Sequence, residues 1–116
     1  MDAQEGVESE LRCIYTGGRG VIRFEWDEGK DRLNRLKHGV SFEEDSSVFY
    51  DDDALLMADP DHSEDEDRFL LLGVSSALRI LIVSHCYRSG ESVIRIISAR
   101  RANRMEREQY ARRWLQ

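Results

Sequence analysis

Three apolar runs with very short connections dominate the C-terminal half of the chain: Arg68 to Val74, Arg79 to Cys86 and Ser92 to Ala99, separated by Ser75-Ser76 and by Arg88-Ser89-Gly90. Parallel neighbours need a crossover of a dozen or more residues, so links this short join antiparallel strands as hairpins. A meander of this kind has an apolar face that other elements must cover. Upstream, Ile22, Phe24 and Trp26 alternate with Val21, Arg23 and Glu25, the period of a half-buried strand. Asp27 then suits the N-cap of a helix running to about His38, with Gly39 as its C′ residue. Ser41-Phe42-Glu43-Glu44 has capping-box spacing and predicts a second, short helix carrying Phe42, Val48 and Phe49 inward and stopping at Asp51-Asp52-Asp53. A short strand over Ala54 to Ala58 follows, then an acidic loop from Asp59 to Asp67 that holds the only proline, Pro60.

Asn103 to Leu115 predicts a closing helix, capped by Asn103 and Glu106, with Tyr110 and Trp114 as an i, i+4 aromatic seam. The expected fold is an α+β domain with a single antiparallel β-sheet and packed helices. Residues 1–20 end in Thr16-Gly17-Gly18-Arg19-Gly20 and predict a flexible N-terminal tail, which leaves 21–116 as the one domain that 116 residues allow. Those first residues hold Asp2, Glu5, Glu8 and Glu10 without the apolar run of a secretory signal, so the expected location is the cytoplasm, with no membrane partner. Cys13 and Cys86 lie far apart and neither has a close Cys or His neighbour of metal-ligand spacing, so no disulfide framework, zinc motif or cofactor is expected.

The net charge of −6 taken alone argues against a nucleic-acid partner. Its distribution argues otherwise: residues 41–67 carry 12 acidic groups and no basic one, whereas residues 68–116 carry 10 arginines against 3 acidic groups. Such asymmetry suggests that one surface meets an anion. The acidic segment is a solvated loop, an intramolecular mate for the arginines, or a docking site for a basic partner.

Phe24-Glu25-Trp26-Asp27-x-x-Lys30-x-x-x-Asn34-x-x-Lys37-His38-Gly39-Val40-Ser41-Phe42-Glu43-Glu44 resembles the opening signature of the BrnT family, the toxins of BrnT/BrnA type II toxin–antitoxin pairs. Later blocks resemble the family in the same order: Asp61-His62-Ser63-x-x-Glu66-x-Arg68, Gly73, Arg95 to Ala102, Glu106-Arg107 and Tyr110. The resemblance spans roughly residues 22–112 and departs from the family at the N-terminal tail and at Arg101, where a lysine is usual. It implies a RelE-like fold and a ribonuclease that cleaves RNA and arrests growth. It also implies a cognate BrnA-like antitoxin, similar to ribbon-helix-helix proteins, through which promoter DNA is bound indirectly.

Metal-free RNA cleavage needs a base for the 2′-OH proton, a positive group for the phosphorane and an acid for the 5′-oxygen. Arg68, Arg95 and Arg100 suit the middle role, because a guanidinium binds phosphate bidentately and does not deprotonate; ion pairing with the acidic segment is their other reading. Strict strand alternation puts Arg95 on a face with Val93, Ile97 and Ala99, which ranks it behind Arg68 and Arg100. His62, among carboxylates that favour its protonated form, fits the acid, and Glu66 the base, unless Asp61-His62-Ser63 merely shapes a turn. Lys37 and His38 contact RNA or offset a helix dipole. Arg101 extends the basic run, and Tyr110 faces RNA or packs in the aromatic seam. Phe24, Trp26 and Trp114 are expected in the core. Against the ribonuclease stand a non-catalytic module acting as co-repressor in an antitoxin–DNA complex and, more remotely, a metalloenzyme using the acidic loop, which lacks EF-hand spacing.

Overall fold

The computed structural model describes residues 11–15, 22–59, 68–88 and 92–113. In chain order these form β1 (Leu11–Tyr15), β2 (Ile22–Glu25), α1 (Glu28–His38), α2 (Phe42–Val48), β3 (Leu55–Ala58), β4 (Phe69–Val74), β5 (Ile80–Arg88), β6 (Val93–Arg101) and α3 (Arg104–Arg112). One sheet takes all the described strands in the order β1-β2-β6-β5-β4-β3. The expected meander is there, with β3, β4, β5 and β6 pairing antiparallel in turn.

Two sequence expectations need correction. The sheet is mixed rather than antiparallel, because β2 lies parallel to β6, with Phe24 opposite Ile94 and Glu25 opposite Arg95. The chain between these strands contains α1, α2 and the meander, ample for a crossover; alternation identified β2 as a strand but carried no information about its neighbour. Within the expected tail, Leu11–Tyr15 form an edge strand antiparallel to β2. Leu11-Arg12-Cys13-Ile14-Tyr15 is a short, mostly apolar run of strand length, a signal that the glycines after it obscured.

Capping residues end the helices where the sequence places them. The Asp27 carboxylate accepts from the Gly29 and Lys30 amides at 2.7 and 3.2 Å, and Gly39, at φ 72°, closes α1 with its N–H on the Arg35 carbonyl. Ser41 Oγ accepts from the Glu44 amide at 3.0 Å, but the capping box is only half made, since the Glu44 carboxylate is drawn instead to Arg79 and Ser75. At α3 the box is complete, Asn103 and Glu106 each accepting from the other's amide at 2.8 Å.

Between α1, α2 and one face of the sheet lies the main core, where Phe24, Val40, Phe42, Val48, Leu81, Val83 and Ile96 are sealed from solvent. A smaller cluster of Leu72, Ile82, Ala102 and Tyr110 forms on the other face under α3. Gly73 is required where α2 ends: a Cβ there would come within 2.9 Å of Val48, Ala54 and the Asp51 carboxylate. That approach lets Asp51 accept from the Val74 amide at 2.9 Å and from the Tyr110 hydroxyl at 2.6 Å.

Two ionisable groups are enclosed on the α2 side. Asp45 is fully buried and neither of its carboxyl oxygens has a hydrogen-bond partner among the described residues. Burial first, then the charges of Glu44 and Asp31, push its pKa well above the usual carboxylate value. His85 is fully buried among the rings of Phe49, Phe69 and Tyr87, and burial brings its pKa down to about 4. Their linkage has opposite signs. An unfolded Asp45 ionises at lower pH than the folded one, so its contribution is present in acid and lost as pH rises toward the folded pKa; the neutral His85 loses stability as pH falls from about 6.5 toward 4. Asp45→Asn should therefore raise the denaturation midpoint more near pH 7 than near pH 4. Chemical denaturation of both proteins in matched buffers checks this, and an equal gain at the two pH values would contradict a raised Asp45 pKa.

Candidate active site

On the α3 face of the sheet, the alternation of β6 is interrupted. Ser98 pairs with Ser84 and Ile96 with His85, so Ile97 is an extra residue. The slip changes which residues share a face: Ile94, Ile96 and Ala99 enter the main core, whereas Arg95, Ser98 and Arg100 fall together on the opposite side. The strict alternation expected from sequence, with Arg95 beside Val93, Ile97 and Ala99, is thereby corrected.

A cavity of about 360 Å³ opens on this face. His38 from the end of α1, Asp59 after β3, Arg68 before β4 and Arg100 near the end of β6 line it, over a floor that includes Ile82 and the cross-strand serines Ser84 and Ser98. The ends of the acidic segment meet here, since the Asp59 amide donates to the Arg68 carbonyl at 2.9 Å. Arg100 is held in place by Glu106, which accepts from both of its terminal nitrogens at 2.9 Å. This ion pair raises the Arg100 pKa and lowers that of Glu106, so both stay charged. Because Glu106 also closes the α3 capping box, the start of the helix and the orientation of the guanidinium are set by the same carboxylate.

Three sequence-selected residues, His38, Arg68 and Arg100, thus converge from separate segments. Others do not reach the cavity lining. Arg95 pairs with Glu25 at 3.1 Å, Lys37 is exposed on α1, and Arg101 is exposed at the end of β6. Tyr110 is buried, donates to Asp51 and lies under the Arg113 guanidinium, 3.6 Å from its ring centroid; burial and Asp51 push its pKa up to about 12. His62 and Glu66 lie outside the described residues, as does Trp114. Asp59, Ser84 and Ser98 line the cavity without having been singled out. For the two serines the only signal was a small polar residue inside an otherwise apolar strand, at a position that a packed face would fill with a larger side chain; Asp59 was one carboxylate among the many of the acidic loop.

A second cavity of about 500 Å³ lies between α2 and the start of the β4–β5 turn. Glu43 and Asp51 line it, giving it the wrong sign for an anionic substrate despite its larger volume. Among the described residues, no group of three or more His, Cys, Asp or Glu side chains is placed to hold a metal ion, and no helix is long and apolar enough to cross a membrane.

The fold and site define a small mixed α+β domain with a histidine and two guanidiniums around one cavity, a lining that suits an anionic ligand. The family described as the ribonuclease toxin BrnT of type II toxin–antitoxin systems matches residues 26–106, which include all the cavity residues, and the chain belongs to that family. The crystal structure of the Brucella abortus ribonuclease toxin BrnT is similar, with 26% sequence identity, coverage of 68% of this chain and 94% of that one, and a TM-score of 0.50. Curated proteins yield no significant match. Family membership makes the protein a ribonuclease toxin, with RNA as its substrate class and a cognate antitoxin as its partner.

The cavity depends on how α1 is docked. Asn34 donates to the carbonyls of Val40 and Ala99, both at 2.9 Å, and accepts from the Ala99 amide at 3.2 Å. Asn34→Ala should cost about 3 kcal/mol, at about 1 kcal/mol for each hydrogen bond removed. The loss is expected in the urea midpoint with the slope unchanged. A cost below about 1 kcal/mol would show that α1 is held by other contacts.

Proposed function

We propose that the protein is a metal-independent endoribonuclease that cleaves RNA through attack of the 2′-hydroxyl on the adjacent phosphorus, with the reaction centred in the His38–Arg68–Arg100 cavity. The observation that carries this reading is the meeting of those three side chains from α1, the start of β4 and β6 around a space of about 360 Å³. Arg68 and Arg100 offer fixed positive charge to the equatorial oxygens of the phosphorane, the task a metal ion performs in other nucleases. His38 supplies a proton-transfer group at the same cavity.

His62 and Glu66 remain the proposed acid and base from the neighbouring segment. That segment is tethered at both ends to the cavity lining, and three residues of chain from Asp59 to His62 span at most about 11 Å. In this reading the domain is RelE-like, acts in the cytoplasm and arrests growth by degrading RNA. A BrnA-like ribbon-helix-helix antitoxin neutralises it and carries the complex to promoter DNA. The co-repressor reading draws support from the Arg100–Glu106 pair, which already commits one arginine of the cavity to the fold.

The two readings separate on a single variant. Purified parent protein should cleave RNA in the presence of EDTA, and Arg68→Ala should lower kcat/KM by about 10²–10³-fold, the cost of removing one preorganised charge-stabilising group. Thermal denaturation should show Arg68→Ala folded. Cleavage by the variant at the parental rate would remove Arg68 from catalysis, and a parent that leaves RNA intact without antitoxin would favour the co-repressor.

A further inference from the structure

Helices on the surface of a domain turn their apolar residues inward and their polar ones out, and α1 does the reverse. Its only apolar side chains, Leu33 and Leu36, are 65% and 79% exposed, whereas Asp31 and Asn34 are buried against the domain. Polar anchors fix that inner side, with Asn34 on Val40 and Ala99 and Asp31 on the Phe42 amide. The two leucines are therefore not what docks the helix. At 3.6 residues per turn they stand about 60° apart and make one stripe along the outer side. Arg32 borders the stripe on one edge and Lys30 and Lys37 on the other; all three are exposed and make no ion pair among the described residues. The carboxylates of α1 lie in its first turn, and Asp31 is buried and paired with Arg35, so on the helix itself only Glu28 opposes these cations.

We propose that this stripe is a docking surface for the cognate antitoxin, taken by an amphipathic helix whose apolar side chains cover Leu33 and Leu36 and whose flanking carboxylates meet Lys30, Arg32 and Lys37. The inference does not depend on the catalytic reading and needs only the antitoxin that family membership supplies. Charge selects the occupant. A second copy of α1 laid on the stripe sets cations against cations, and a nucleic-acid backbone satisfies the cations but leaves both leucines in water. An apolar stripe rimmed by carboxylates satisfies both, because long basic side chains lay their methylenes along apolar surface while their charges reach outward. The contact falls on the side of α1 away from Asn34, so the hydrogen bonds that dock the helix stay intact when the partner is seated. His38, the last residue of α1, lines the cavity, and a partner held along the helix is thereby held beside the site.

The experiment compares the full-length parent with the double variant Leu33→Gln/Leu36→Gln in binding to the purified cognate antitoxin, glutamine being chosen because it forms helix about as well as leucine. The variant is expected to fold and to cleave RNA as the parent does, and to bind the antitoxin about hundredfold more weakly, or about tenfold for each leucine no longer covered. A second variant, Lys30→Gln/Arg32→Gln, keeps the leucines and removes part of the rim. It should associate with the antitoxin more slowly than the parent and with a flatter dependence on salt. Parental antitoxin affinity in the leucine variant overturns the proposal. Weakened RNA binding with antitoxin affinity unchanged also overturns it, and assigns the stripe to nucleic acid. Loss of a parental homodimer in sedimentation, again with antitoxin affinity unchanged, overturns it in favour of a second copy of the chain. If the parent leaves RNA intact, the ribonuclease reading fails, and the antitoxin affinities still decide what covers α1.

Discussion

The docking of α1 rests on one buried amide, and much of the domain follows from it. Eleven residues make a helix too short to persist alone in water, and the outer face of α1 leaves Leu33 and Leu36 exposed, so little apolar burial holds it from that side. Asn34 satisfies its amide on two strands of backbone at once, the Val40 carbonyl after α1 and both polar groups of Ala99 in β6. Asp31, one turn earlier, accepts from the Phe42 amide at 2.8 Å and fixes the entry of α2. Because Ser98, Ala99 and Arg100 are consecutive and line the cavity, the side chain that docks α1 also sets His38 against Arg100. The polar positions of the opening signature thus turn out to be anchors: Asp27 caps, Asn34 clamps, Ser41 caps again, and only His38 among them reaches the cavity.

A second constraint is the register slip at Ile97. In an unbroken strand, residues 95 and 100 project to opposite faces, and one of the two arginines would enter the core. The extra residue keeps Ile94, Ile96 and Ala99 inward and turns Arg95, Ser98 and Arg100 outward together. Opposite Ser98 stands Ser84, and this pair of small side chains leaves open a floor that two leucines would close. Backbone irregularity and small residues work together here: one gathers charge on a face, the other makes room above it.

What was legible in the sequence is what local chemistry controls. Caps at Asp27, Gly39, Ser41 and Asn103 act within one turn, and the short links of the meander allow only antiparallel neighbours, so those elements could be placed without knowledge of the rest. The parallel partner of β2 depends on where a long crossover lands, which no local pattern encodes. The slip at Ile97 was equally hidden, since an Ile-Ile pair suits either face until the register on β5 is known. For the site, Arg68, Arg100 and His38 were visible as residue types in suggestive places, but their convergence is a product of three separate connections. Asp59, Ser84 and Ser98 were passed over because each is unremarkable until the strands are paired.

Charge shows the same division between what is local and what is assembled. The total of −6 describes a surface that should repel RNA. In the folded chain, many carboxylates are already committed to the protein's own groups. Glu44 accepts from Arg79 and Ser75, Asp51 from Val74 and Tyr110, and Glu106 from Arg100, while Asp45 is enclosed and its pKa is pushed well up by burial. On the α3 face Glu25 accepts from both Arg88 and Arg95, and Arg88 keeps half of its side chain exposed. Interactions between exposed charges fade beyond about 10 Å at moderate salt, so an RNA phosphate responds to the face it approaches and not to carboxylates across the sheet. An acidic protein can therefore carry an anion-binding surface, provided that the carboxylates beside it are bound to the protein's own groups and guanidiniums still face solvent there.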